Sequence, residues 1–321
     1  MDAALKAHKR KIYVHTAKGV FLLIILIINF ICFFIGAVFH NEFCVLNTRT
    51  SFVRYNRLQA RLEQGLRTGG WQTVSLYSRF GYILKGTFLP NPVPSDKTVI
   101  FVHGIAANQL MGLPYSEMYL DKGYNILIYD SRAHGESGGS CTTWGYYEKY
   151  DLDQWVDWLE KKYPNGVIGV HGVSMGAATA LMHASLNEPS KRVKFYIADS
   201  AYSDLEDLLT QQITALVKSR YPLWVLTLIK YCSVVAYIQS RFSYADVSPL
   251  RAVSHVTTPV LYLHGESDTL VPAGMSVQLY AATKGYREIH IFPNVKHGMA
   301  ILDRRYEYQE TVTHFLNSIP E

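Results

Sequence analysis

Cysteine is scarce in this chain of 321 residues, with four in all: Cys32, Cys44, Cys141 and Cys232. They have no paired spacing, so no disulfide framework is expected and each reads as a free thiol. No grouping of Cys, His and Asp has metal-ligand spacing either, so neither a metal nor any other cofactor is expected. Asn-x-Ser/Thr acceptors are absent, which leaves eukaryotic secretion without support and fits a bacterial surface better. Charge is low, at 18% against 49% apolar residues, and that excludes disorder for a chain of this length. The formal charge is +5. Much of that excess precedes residue 70, in Lys6, Lys9, Arg10, Lys11 and Lys18 and then Arg49, Arg54, Arg57, Arg61 and Arg67. No basic stripe interleaved with aromatics recurs in the body, so a nucleic-acid partner is excluded. Internal repeats and low-complexity segments are also lacking.

What the chain does have is a long apolar run near its start. Val20 to Phe39 carries no charge and one polar residue, Asn29. As a helix it spans about 30 Å, the thickness of a bilayer core. A removable signal peptide is the rival reading, but its apolar core usually covers about 7 to 15 residues before a small-residue cleavage site. This run is longer and no Ala-x-Ala follows it. Basic residues are denser before the span than after it, which predicts a cytoplasmic N-terminus and an extracellular body anchored to the cell membrane. The resulting organisation is a basic cytoplasmic segment at 1–19, a membrane anchor at 20–39, a juxtamembrane stretch at 40–70 and a catalytic domain at 71–321.

Within the juxtamembrane stretch, Tyr55, Leu58, Leu62 and Leu66 recur at helical spacing with arginines between them. This is an amphipathic helix lying on the membrane, or alternatively one packed on the domain. The runs 71–78 and 82–90 flank Gly81 as an antiparallel strand pair. Six apolar, β-rich runs follow, at 98–104, 125–131, 166–172, 195–200, 259–266 and 287–293. Helical stretches at Tyr147–Tyr163, Met175–Leu186, Gly274–Thr283 and Ile301–Ile319 alternate with them. Continuous apolar strands separated by helices specify an α/β fold, here a mostly parallel sheet of eight strands with helices on both faces. About 60 residues separate the runs at 195–200 and 259–266, far more than a βα unit needs. The insertion at 202–250 is helical and apolar on one side, as a cap over a pocket would be. Trp224 to Ile238 within it is too short to cross a bilayer and carries Lys230 at its middle.

Gly172-Val173-Ser174-Met175-Gly176 has the Gly-x-Ser-x-Gly form of a nucleophile elbow. The pentapeptide alone is a weak signal, and its position strengthens it. An apolar strand leads in and a helix-favouring segment leads out, so the turn would present the Ser174 hydroxyl at a strand's carboxyl end. A serine hydroxyl needs a base, which in turn needs an acid to orient it. Asp268 and His297 follow in the required order, each just past a strand, at the edge where open α/β sheets keep their sites. Glu266 and Asp199 are the competing acids. Among the histidines, His171 and His290 fall within strands, while His103 and His264 belong to strand-end His-Gly pairs. Two backbone donors are expected to form the oxyanion hole. One is the N–H of Met175, and the other is that of Ile105 after the 98–104 strand, with Ala106 as the near alternative.

Together FVHG, YDSRAHGESGG, GVSMG, HGESDTLVP and VKHG resemble the α/β-hydrolase superfamily. More narrowly, they resemble its membrane-anchored bacterial branch of serine aminopeptidase-like or esterase-like hydrolases. The resemblance covers about residues 71–318. It implies a structural role for Asp130, Arg132, His134, Gly135 and Ser137. The serine at the elbow argues against the dehalogenases and epoxide hydrolases of this fold. The expected activity is hydrolysis of a carboxylic ester or thioester of a small-molecule or lipid-like acyl substrate through an acyl-Ser174 intermediate. Peptidase action on short peptides is the alternative. A catalytically silent binding protein on the same fold is opposed by the intact set of three residues.

Overall fold

A computed structural model describes residues 2–46, 56–218 and 222–319. Arg49, Arg54 and Tyr55 lie outside the described residues.

The first helix, α1 (Asp2–His40), is continuous through the uncharged run and gives way to a wide helical turn, Asn41–Leu46. The next, α2 (Asn56–Thr68), is amphipathic, as its spacing predicts, and its apolar side packs on the body. Leu62 is buried there beside Trp71, and Gly65 lies so close to the Trp71 ring that a Cβ would come within 2.2 Å of it. Arg61 pairs with Glu117 at 3.1 Å. Of the two readings of this helix, packing on the domain is the one its contacts support.

The sheet has eight strands: β1 (Gln72–Tyr77), β2 (Ile83–Leu89), β3 (Thr98–Val102), β4 (Asn125–Tyr129), β5 (Ile168–Val173), β6 (Val193–Asp199), β7 (Val260–Gly265) and β8 (Arg287–Phe292). Their spatial order is β1-β2-β4-β3-β5-β6-β7-β8. β1 and β2 form the expected antiparallel hairpin, β2 meets β4 antiparallel, and every later pairing is parallel. The strands β3, β4, β5 and β7 are buried along their whole length, which is why they read as unbroken apolar runs.

Helices cover both faces. They are α3 (Leu113–Leu120), α4 (Glu148–Lys162), α5 (Met175–Asn187), α6 (Leu205–Leu216), α7 (Pro222–Ser240), α8 (Pro249–Val253), α9 (Gly274–Ala282), α10 (Ala300–Asp303) and α11 (Arg305–Ser318). One core layer joins the sheet to α4, α5 and α9 through Trp155, Leu181, Tyr196 and Leu279. The other joins it to α2, α3 and α11 through Leu62, Tyr115, Phe195 and Phe315. The segment read as one helix at 301–319 is two, broken at Arg304, whose backbone leaves helical geometry at φ −134°, ψ 43°. The helix α3 is not among the helices expected from the sequence, and Ser116 is buried on it alongside Leu113, Tyr115, Met118 and Tyr119.

The insertion between β6 and β7 is the cap, with α6 and α7 as its two long helices. A third apolar cluster lies beneath it, made by Leu205, Leu208, Leu209, Val225 and Ile229 of the cap with Trp144, Val271 and Met275 of the body. Cys44, just beyond α1, is buried in the same cluster, and its carbonyl accepts the Thr142 N–H at 2.8 Å.

Candidate active site

The strand β5 ends at Val173 and α5 begins at Met175, so Ser174 occupies the whole turn between them. Its backbone is forced to φ 57°, ψ −119°, a region that L-residues avoid and that costs on the order of 1–3 kcal/mol. Surrounding packing holds it there. The Ser174 N–H donates to the Asp199 carbonyl at 2.8 Å, and the Ser174 carbonyl accepts from Ala178 at 3.0 Å. The flanking glycines are steric requirements. A Cβ on Gly172 would fall 2.2 Å from the Gly176 carbonyl oxygen, and one on Gly176 would fall 2.0 Å from that of Val102. The pattern Gly-x-Ser-x-Gly is thus what lets strand, turn and helix close on one another here.

His297 lies beyond β8, and its Nε2 is 2.8 Å from Ser174 Oγ. Its other ring nitrogen, Nδ1, is 2.6 Å from Asp268 Oδ2. With the Nδ1 proton given to the carboxylate, Nε2 is left to accept the serine hydroxyl. Asp268, beyond β7, is buried. Its Oδ1 accepts the backbone N–H groups of Leu270 at 2.9 Å and Val271 at 2.8 Å. Burial pushes this carboxyl up, but hydrogen bonds from His264, His297 and the Val271 N–H outweigh it and hold the group well below the usual carboxylate range. The three residues picked out by chain order are therefore in continuous hydrogen-bond contact across three separate loops.

The competing acids stand elsewhere. Glu266 is exposed and reaches the Asn294 N–H at 3.3 Å. Asp199 is fully buried behind the elbow, where Oδ1 accepts the Ser200 hydroxyl and Oδ2 that of Tyr308. Burial raises its carboxyl above the ordinary range. Its neighbour Ser200 accepts the Gly298 N–H at 3.2 Å, so the strand end behind Ser174 also steadies the loop carrying His297.

The β3 loop passes directly over the serine: a Cβ on Gly104 would lie 3.3 Å from Ser174 Cβ. Ala106 donates its N–H to His134 Nε2 at 3.2 Å, so the near alternative of the two expected donors is already engaged. Met175 sits at the first helical position, where the N–H has no intrahelical acceptor. Both expected donors thus lie in the segments flanking the hydroxyl.

The loop from Asp130 to Ser137 is a scaffold, as the resemblance implies. Asp130 accepts the N–H groups of Gln109 at 2.7 Å and Glu136 at 2.9 Å, and burial raises its carboxyl to about 6. Ser137 donates to the Asp130 carbonyl at 2.6 Å, and Gly135 takes φ 49° beside the carboxylate. His103 accepts the Ser131 N–H at 2.9 Å and is held neutral, its pKa lowered to about 3 mainly by burial and by His134. His171 bridges Tyr119 at 2.8 Å and Tyr308 at 3.0 Å, also lowered to about 3 by burial.

One contributor escaped the sequence reading. His264, at the end of β7, points Nε2 at Asp268 Oδ2 (3.1 Å) and at the Val271 carbonyl (2.8 Å). Both are acceptors, so Nε2 carries the proton and Nδ1 accepts from Ser276 at 2.7 Å. Its place four residues before Asp268 was the available signal. It was masked by the common strand-end His-Gly pattern.

Comparisons with known proteins agree with this architecture. A family model described as X-Pro dipeptidyl-peptidase (S15 family) matches residues 45–236. The chain is similar to the uncharacterized protein YqkD of Bacillus subtilis, with 36% identity over 243 residues covering 75% of this chain and 78% of that one. It is also similar to the uncharacterized protein YfhR of Escherichia coli K12, with 25% identity covering 77% and 81%. Among solved structures, the esterase Pf2001 of Pyrococcus furiosus superposes with a TM-score of 0.61 at 27% identity, covering 77% of this chain and 91% of the esterase. An esterase from Exiguobacterium antarcticum, at 20% identity and a TM-score of 0.56, shares the fold. Sheet order, elbow and these relatives lead to one conclusion: the chain belongs to the α/β-hydrolase superfamily, in a family with YqkD and the proteins of the S15 model, and is a hydrolase.

Proposed function

We propose that this protein is a membrane-anchored serine hydrolase that cleaves a carboxylic ester or thioester through an acyl-Ser174 intermediate. The observation that carries the proposal is the unbroken line from Asp268 through His297 to Ser174, at 2.6 and 2.8 Å. In this reading His297 Nε2 takes the hydroxyl proton as Ser174 Oγ attacks the acyl carbon. The Met175 and Ile105 N–H groups meet the negative charge that forms on the acyl oxygen. His297 then returns its proton to the leaving alcohol or thiol. A water activated by the same nitrogen releases the acid. Asp268 stays ionised throughout and stabilises the imidazolium.

An apolar acyl group is favoured because the cap presents Leu205, Leu208, Leu209, Val225 and Ile229 to the cluster that Ile105 borders. Peptidase action is the second reading, supported by the description of the matching family model. The same three residues could serve it, but the cap cluster is apolar where a peptide terminus would call for a charged partner. A panel of p-nitrophenyl esters and aminoacyl p-nitroanilides, including an X-Pro anilide, separates the readings. Turnover of esters with inert anilides is the expected result, and the reverse would establish the peptidase.

The helix α1, uncharged from Val20 to Phe39 and exposed over most of that length, serves as the anchor, with the N-terminus cytoplasmic and the body outside. Protease added to intact cells should digest the body, and digestion that requires permeabilised membranes would reverse the orientation.

A further inference from the structure

The cap is joined to the anchor. Along α7, contacts to α1 advance in step. The Tyr231 hydroxyl donates to Asn29 Oδ1 at 2.5 Å, and the Phe33 ring meets Tyr231 edge-on at 5.1 Å. Gly36 lies against Val235 and Cys232, where a Cβ would come 3.0 Å from Val235 Cγ2. His40 Nε2 sits 2.9 Å from Ser240 Oγ. Partners keep a separation of about 200 residues, so the two helices run parallel at the common rise of about 1.5 Å per residue. Extending that register backwards sets the start of α7, Leu223, beside the first turns of the uncharged Val20–Phe39 run.

The outward side of the hairpin matches that run in chemistry. Leu216 at the end of α6 is 81% exposed and Leu223 76% exposed, while Val234, Tyr237 and Ile238 continue an apolar side along α7. The opposite side of α7 (Val225, Ile229, Cys232, Ala236) is buried in the cap cluster. The charge on the described part of α7, Lys230, is paired with Glu206 of α6 at 2.6 Å. The helix is longer than the Trp224–Ile238 run read from the sequence, which corrects the expectation that it is too short: by length and composition Leu223–Ser240 could cross a membrane. Its connections forbid it: α6 leaves from β6 and α7 returns towards β7, and those strands pair side by side in one sheet. A single crossing would place the two strands on opposite sides of the bilayer. The hairpin can enter and leave by the same face.

We propose that the α6–α7 hairpin dips into the lipid bilayer beside α1, so that the roof of the active site is itself in contact with lipid and acyl substrates reach Ser174 from the membrane. This rests on the anchor and hydrolase readings and adds where the substrate is taken from. The occupant is lipid because the exposed side of α7 continues the exposed surface of the anchor on which it packs, and the charge within α7 is ion-paired, while Lys218 lies beyond α7 at the hairpin tip. Partitioning of such an apolar hairpin scales with the area it buries.

The test uses the full chain in vesicles of phosphatidylcholine and phosphatidylglycerol, carrying an environment-sensitive fluorophore at Leu223→Cys, Leu22→Cys or Tyr306→Cys. The unsubstituted chain gives the background from native thiols. Leu22 reports the anchor, and Tyr306, 84% exposed on the body, reports water. Expected is quenching at Leu223 and Leu22 by spin-labelled lipid with protection from iodide, and the opposite at Tyr306. If Leu22 is lipid-quenched while Leu223 is as open to iodide as Tyr306, the cap proposal falls and the anchor stands. If Leu22 is open to iodide, both fall. Protection of Leu223 from both quenchers, with cross-linking between chains, means a second copy covers the hairpin and also overturns the proposal. In parallel, the double variant Leu216→Asp/Leu223→Asp should lose about tenfold in hydrolysis of a long-chain ester held in vesicles, with p-nitrophenyl acetate turnover unchanged. Equal rates on the vesicle ester contradict delivery from the membrane. Loss of acetate turnover by the unsubstituted chain would instead overturn the hydrolase reading.

Discussion

Asp268 Oδ2 is shared between His297 Nδ1 at 2.6 Å and His264 Nε2 at 3.1 Å, while its second oxygen is held by two backbone N–H groups. The carboxylate is thus fixed from four directions, and its shorter side-chain contact is the one to His297. Asp268→Asn should keep the fold and the nucleophile but present an amide where an acceptor is needed, lowering turnover by about 10⁴ as in a chymotrypsin-type triad. Glu266→Gln should cost far less, since Glu266 reaches only a surface N–H in the loop before His297. Near-normal turnover in Asp268→Asn with loss in Glu266→Gln would reassign the acid.

His264 is a positioning residue in this account. His264→Ala removes one charge-assisted hydrogen bond from Asp268, worth about 1.5–3 kcal/mol, so kcat should fall by about 10- to 100-fold with KM little changed. The pH dependence should move with it. The folded Asp268 carboxyl is depressed, so its stabilising contribution is present above the ordinary carboxylate pKa and is lost as pH falls towards the folded value. Taking away a donor raises that folded value, and acid inactivation of the variant should begin at higher pH. A parallel loss of kcat with an unmoved acid limb would assign His264 a packing role alone.

The elbow makes a steric prediction. Gly176→Ala places a methyl 2.0 Å from the Val102 carbonyl oxygen and 2.7 Å from that of His103, backbone that leaves it no room. The thermal midpoint should drop sharply, and any folded fraction should label slowly with a fluorophosphonate. An unchanged midpoint and labelling rate would mean the turn is looser than its geometry.

His171 offers a test of buried charge. Held near 3 between Tyr119 and Tyr308, it stays neutral in the folded protein while the unfolded chain takes up a proton below about 6.5. Its effect is therefore a loss of stability as pH falls from about 6.5 towards 3, by up to about 1.4 kcal/mol per pH unit. His171→Gln should be less stable than the parent at pH 7, through poorer pairing of two tyrosine hydroxyls, yet lose less further stability between pH 6.5 and 4. Denaturant midpoints across that range measure both, and equal slopes would contradict the neutral buried imidazole.

Much of this was legible before any coordinates. Strands buried on both faces advertise themselves as unbroken apolar runs, and the order serine, aspartate, histidine needs only strand ends to place it. Local pattern could not say what α2 packs against, because the same amphipathic side serves a membrane or a protein surface. It is Trp71 stacked on Gly65 that decides. Likewise the apolar side of α7 suggested a cap but not its union with α1. That depends on Asn29 meeting Tyr231, a contact between residues 202 positions apart that no window of sequence contains.

The central claim is that Ser174 is the attacking group, and the most direct measurement is covalent labelling by a fluorophosphonate together with turnover of a short p-nitrophenyl ester, comparing the parent with Ser174→Ala. The account predicts one label per chain, located on Ser174, in the parent. Both labelling and turnover should be abolished in the variant, because the atom 2.8 Å from His297 Nε2 is gone. Full ester turnover by Ser174→Ala, or a label found on another residue, would contradict it.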